Sequence, residues 1–276
     1  MPKLLRHLLK LIGVLAVVAW SLVPIGLIAM SSFKADRDIF SPTGAFSFAP
    51  TLANYQALWS RWGDFFFGLW NSFLVTVGAT VLAVGVSLLA GFAYSRFASR
   101  GLQASAFFLI FIRLIPPIVI TLPLFPVVNW LGLNDTHFIL ILLYATFFVP
   151  LGTVVMRTFI DQIPRELDEA AMVDGASQMQ IIARVILPMA AQGMLAVSVF
   201  VIVYAWNEFL FGLMLTTNKA VPMTVGASFF FAASGGGVQW GTASAVMILG
   251  ALPPVLLGLL MYRQISGSMT AGAIKG

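Results

Sequence analysis

Six apolar stretches, at roughly 9–30, 69–93, 105–127, 138–158, 192–216 and 239–262, divide the chain and predict six helices. Each approaches the ~20 residues that cross the hydrocarbon core of a bilayer. None carries a one-sided stripe. They are apolar all round, which lipid tolerates because a helix satisfies its own backbone groups. Between the first two lies the stretch 31–68, with turn formers at Pro42, Gly44 and Pro50 and then an aromatic run ending in "ALWSRWGDF". That pattern predicts an extended loop with an interfacial aromatic belt, or a contact for an external partner.

The segment 159–191, between the fourth and fifth stretches, has a different pattern. Asp161, Glu166, Asp168, Glu169 and Asp174 put 5 of the 10 carboxylates here. Pro164 suits a first helical position, and Glu166, Asp168 and Glu169 then place negative charge in the first turn, where the helix dipole favours it. Leu167, Ala170, Ala171 and Asp174 recur at helical spacing, a face of mostly small side chains. Gly175 supplies a left-handed helix end. Ser177 and Gln180 have capping-box spacing and start a second helix, with Met179, Ile182, Val185 and Ile186 along its apolar side, before Pro188 bends the chain. Two short helices meeting at a glycine, held against the membrane surface, are therefore expected. They form either a knob for another protein's socket or an ordinary interfacial amphipathic segment.

Composition supports the membrane reading. The 276 residues are 60% hydrophobic and 9% charged, against about 25% charged in a soluble domain. There is no cysteine, and the two histidines, His7 and His137, stand far apart beside predicted boundaries. This leaves almost no ligands for metal chemistry. The net charge of +5 belongs to membrane orientation rather than to nucleic acid. With both termini cytoplasmic, the inner segments hold Lys3, Arg6, Lys10, Arg96, Arg100, Arg157, Arg165, Arg184, Arg263 and Lys275, against Lys34, Arg37, Arg61 and Lys219 outside. The first stretch exceeds a signal h-region and is expected to remain as an anchor. With no repeat, linker or soluble portion, residues 1–276 are expected to form a single transmembrane domain.

Arg113 and Glu208 are the conspicuous membrane-embedded charges, each costing about 2.5–3.5 kcal/mol at a span centre. Trp206 and Asn207 adjoin Glu208. Asn207, Glu208 and Trp206 are candidates to line a pathway and hydrogen-bond a passing solute, or to glue helices together. Arg113 can snorkel toward water. None of Lys3, Lys10, Lys34, Lys219 and Lys275 follows a glycine, so a P-loop is absent and any ATP hydrolysis belongs to another polypeptide.

Glu169-Ala170-Ala171, Asp174-Gly175-Ala176 and the later Leu187-Pro188 resemble the EAA loop of bacterial ABC importer permeases. "TLANYQALW", "IPP" at Ile115 to Pro117, "GLNDT" at Gly132 to Thr136, "AWNEFLF" at Ala205 to Phe211 and the terminal "GSMTAGAIKG" are similar to the maltose-type (MalG-like) carbohydrate permeases; Ile182 departs from a position often Phe. The resemblance implies an all-α integral membrane fold of six transmembrane helices, the type I ABC importer permease fold, with a cytoplasmic coupling helix. It implies ATPase-coupling roles for Glu169, Ala170, Ala171, Asp174, Gly175 and Ala176. It also implies a non-enzymatic subunit of the bacterial inner membrane that carries no cofactor. ATP and Mg would sit on two partner ATPase subunits, alongside a related second permease and an extracytoplasmic solute-binding protein. An ion-coupled secondary carrier is the competing function, predicting mid-membrane charge and helices broken near the bilayer centre; an anchoring subunit without a pathway is the third.

Overall fold

The computed structural model describes residues 3–41, 47–97, 99–231 and 237–273. Pro42, Gly44 and Lys275 lie outside them. The expected all-α architecture is borne out: every regular element among the described residues is helical. In chain order these are α1 (Lys3–Ser32), α2 (Asp36–Ile39), α3 (Ala53–Arg61), α4 (Asp64–Arg96), α5 (Arg100–Ile112), α6 (Pro117–Trp130) and α7 (His137–Ile160). There follow α8 (Arg165–Val173), α9 (Gln178–Ile181), a π turn (Ile182–Ile186), α10 (Leu187–Met189), α11 (Ala191–Asn207), α12 (Leu210–Leu215), α13 (Met223–Ser228) and α14 (Trp240–Ala273).

Four segments are long and apolar enough to cross a membrane unaided, Leu5–Ser32, Asp64–Arg96, His137–Ile160 and Trp240–Leu260; two bent pairs bring the number to six if each is one span. The stretch at 105–127 is not one straight helix. α5 and α6 meet at 98°, because Pro117 at the start of α6 has no N–H to continue α5, and Pro116 before it is extended (φ −58°, ψ 137°). The stretch at 192–216 is also broken, since α11 stops at Asn207, Glu208 is extended (φ −67°, ψ 133°) and α12 restarts at Leu210.

Two compact units divide the chain, residues 1–67 with 226–253 and residues 68–225 with 254–276. In the first, the Asn54 amide donates to the carbonyls of Ser32 (2.9 Å) and Lys34 (2.8 Å), and the Gly241 N–H donates to Asp36 (2.7 Å). A Cβ on Gly241 would fall within 2.9 Å of that same Asn54 side chain. α1 contributes an 18-residue apolar window of which none is buried.

In the second unit one apolar cluster joins Leu88 and Phe92 of α4, Met156 and Ile160 of α7, Val197 and Val201 of α11, and Ile181, Ile182 and Ile186. A second joins Val75, Val128, Tyr144, Phe211 and Leu215. α4 and α7 approach so closely at Gly91 that a Cβ there would lie 2.8 Å from the Met156 Cβ and 2.9 Å from the Arg157 backbone nitrogen. The second helix of the loop packs one side into the protein: Ile181, Ile182 and Ile186 are buried, whereas Met179 is 64% exposed. Pro188 cannot donate to the carbonyl four residues back, and the helix ahead of it widens to the π turn, with the Leu187 N–H reaching Ile182. The chain then turns through 78° into α11.

Candidate functional site

The loop between α7 and α11 is built by local rules and then fixed by one buried ion pair. Pro164 is the N-cap of α8 rather than its first residue. At the other end the Gly175 N–H donates to Met172 (3.0 Å) and the Ala176 N–H to Ala171 (2.9 Å), with Gly175 at φ +82°. This is a complete Schellman ending. Two residues later the Ser177 side chain accepts from the Gln180 N–H, and the Gln180 side chain accepts from the Ser177 N–H at 2.8 Å, the reciprocal capping box expected from the spacing. A left-handed glycine flanked by two satisfied helix ends makes a rigid hairpin.

Its outer surface carries Glu166, Glu169, Ala170, Asp174 and Gly175 exposed, while Ala171 and Ala176 are half-buried against the core. Met172 (47% exposed), Val173 (88%) and Met179 (64%) add an apolar tip. Helical periodicity puts Met179 with the inward apolar side and leaves Met172 and Val173 on no expected face, so this tip is not legible from the pattern. Asp168 does not belong with the other carboxylates. It is 6% exposed, and its Oδ2 accepts from Arg96 Nε at 2.5 Å. The same guanidinium donates to the Ile163 carbonyl (3.0 Å), and Arg165 donates to the Ser95 carbonyl (2.8 Å). The end of α4 therefore grips the root of α8. Asp168 and Arg96 both fall on charged stretches that read as solvated, so pattern alone could not pair them.

The broken stretches hold the embedded charges. Trp206 is 4% and Glu208 8% exposed; Asn207 is exposed, its amide folded back onto the Val203 carbonyl (2.8 Å). The Glu208 carboxylate accepts from the N–H groups of Phe211 (3.0 Å) and Gly212 (3.3 Å) at the start of α12. Arg113 caps the far end of α5, its guanidinium 5.1 Å above the Phe148 ring and 5.7 Å from Phe147. Each charge thus sits at the helix end whose dipole suits its sign. Among the described residues neither forms an ion pair with the other.

At the opposite end of α4 from the hairpin a polar clamp holds the segment after α12. Asp135, at φ +58°, accepts from the N–H groups of Thr217, Asn218, Lys219 and Ala220 at 2.9–3.2 Å. Burial pushes its carboxyl up, but those four donors outweigh it and hold the group at about 2. The Asn71 amide donates to the carbonyls of Lys219 (2.9 Å) and Val221 (3.0 Å) and bonds the His137 ring (2.8 Å); Ser72 accepts from the Met223 N–H (2.8 Å).

Residues 83–270 match the family described as binding-protein-dependent transport system inner membrane component. A trehalose/maltose transport system permease of Thermococcus litoralis is 30% identical over 276 residues, 99% of each chain. A sulfoquinovosyl glycerol transport system permease of Agrobacterium fabrum is 30% identical, covering 97% of this chain and 94% of that one. Among solved structures, a chain of a bacterial ABC transporter that imports the acidic polysaccharide alginate superposes with a TM-score of 0.81 at 17% identity, covering 94% of this chain and 96% of that one.

Proposed function

The chain belongs to the family of binding-protein-dependent transport inner-membrane components, and from that membership we propose that it is the permease subunit of an ABC importer for a carbohydrate. The relatives' trehalose, maltose and sulfoquinovosyl glycerol support the cargo class. The subunit performs no chemistry itself. ATP and Mg are bound by two cytoplasmic ATPase subunits, a homologous second permease completes the pathway, and an extracytoplasmic solute-binding protein delivers cargo. Residues 1–276 act as one transmembrane domain with both termini and the hairpin inside.

The observation that carries this reading is the hairpin. Glu169, Ala170, Asp174 and Gly175 are presented around the apolar tip Met172, Val173 and Met179, a surface that suits a socket with basic residues at its rim. Ala171 and Ala176 support it from beneath. For the pathway, Asn207 is the member of the group 206–208 that remains accessible; Trp206 and Glu208 support it from within the wall.

The carrier alternative has one observation in its favour, the breaks beside Arg113 and Glu208. Helix-end compensation accounts for both charges without an ion cycle. Crosslinking separates the two. The chain has no cysteine, so Val173→Cys and Ala170→Cys provide unique thiols, and in the assembled importer both are expected to capture the ATPase. Uptake that continues with no ATPase present and collapses with a protonophore overturns the importer reading.

A further inference from the structure

We propose that α4 is a transmission rod that carries displacement of the hairpin to the loop 216–223 at the opposite end of the helix. The inference rests on the importer reading, and it names the residues that carry motion onward from the docking surface.

Both ends of the rod are jointed through buried side chains. At one end Arg96 holds the Asp168 carboxylate and the Ile163 carbonyl together, the Arg96 and Asp168 side chains each being 9% exposed. Removing either charge leaves the other buried without its partner, so the joint stays closed while the hairpin moves. Arg165 returns a second bond from α8 to Ser95. At the other end the buried pair Asn71 and Ser72 holds three backbone groups of the loop, those of Lys219, Val221 and Met223.

The joints stand 25 positions apart along the helix (71 to 96), about 37 Å at 1.5 Å per residue. No proline interrupts α4, whereas Pro24 lies inside α1, Pro123 and Pro126 inside α6, and Pro150 inside α7. Proline and π turns are the usual sites where a helix flexes. α4 and α7 touch at three levels, Gly91 against Met156 and Arg157, Ser87 against Gly152, and Gly78 against Ile141, so a shift applied at Arg96 is delivered at Asn71. Asp135 receives four N–H groups of the same loop, which makes the segment move as a body.

The test uses the complete importer in nanodiscs with its second permease, ATPase and solute-binding protein. Asn218→Cys, at an exposed loop position, reports through its rate of maleimide labelling with and without ATP plus vanadate. The expected result is at least a five-fold nucleotide-dependent change in rate. It is lost in Asp168→Asn and in Asn71→Ala, and the double variant responds no less than either single one. Arg96→Asp combined with Asp168→Arg restores part of the response, which separates a broken joint from misfolding. Hydrolysis with a labelling rate indifferent to nucleotide overturns the rod alone, as does a full response in Asp168→Asn. A wild-type chain that recruits no ATPase brings down the importer reading and the rod together.

Discussion

Asp135 shows how much one side chain can hold. A left-handed backbone is rare for a residue other than glycine and is tolerated by aspartate, and here it aims one carboxylate at four consecutive N–H groups. Because the group is held at about 2 against an ordinary 3.8, its contribution is fully present above about pH 4 and is lost as pH falls through 2. Allowing for solvent screening, that is on the order of 1–2 kcal/mol. Asp135→Asn is expected to lower the thermal midpoint of the purified protein at pH 7, and to flatten its dependence on pH between 4 and 2; an unchanged midpoint contradicts the clamp. Glu208 makes a comparable test. Its two oxygens cap α12, so Glu208→Ala should destabilise by about 1–3 kcal/mol and Glu208→Gln, which keeps one acceptor, by less. Chemical unfolding measures the difference, and a changed cargo preference in Glu208→Gln at unchanged stability assigns the residue to the pathway instead.

At the scale of elements, the hairpin was legible because its signals are local. Gly175, Ser177 and Gln180 dictate a helix stop and a helix start whatever surrounds them, and all three behave as the spacing predicts. The two broken spans were less legible. Pro116-Pro117 marks an interruption, but its 98° bend depends on what α6 packs against, and the stop at Glu208 has no proline or glycine to announce it. Gly175→Ala isolates the backbone contribution, since a Cβ there meets nothing within 4 Å. Left-handed strain of about 1–2 kcal/mol remains, and the expected result in the assembled importer is weaker coupling, seen as fewer cargo molecules taken up per ATP hydrolysed. An unaltered ratio shows that the angle between α8 and α9 is unimportant.

At the scale of the whole molecule, the cation distribution predicts sidedness, which can be read directly. In sealed inside-out vesicles Val173→Cys is expected to react with an impermeant maleimide and Trp59→Cys to remain silent, with the reverse in right-side-out vesicles; both positions are exposed, 88% and 75%. Labelling of both from one side overturns the orientation. Sequence by itself determined that this chain lives in lipid, that its helices lie where apolar runs reach spanning length, and that a glycine-centred acidic hairpin follows the fourth. Those are consequences of hydration and of hydrogen bonds between residues a few positions apart. Only the tertiary structure decided that Asp168 turns inward to Arg96, and that Asn71 and Asp135 hold the loop after α12. Such partners stand 72, 148 or 82 positions away; which carboxylate is buried depends on what the fold brings beside it, and no local pattern encodes that.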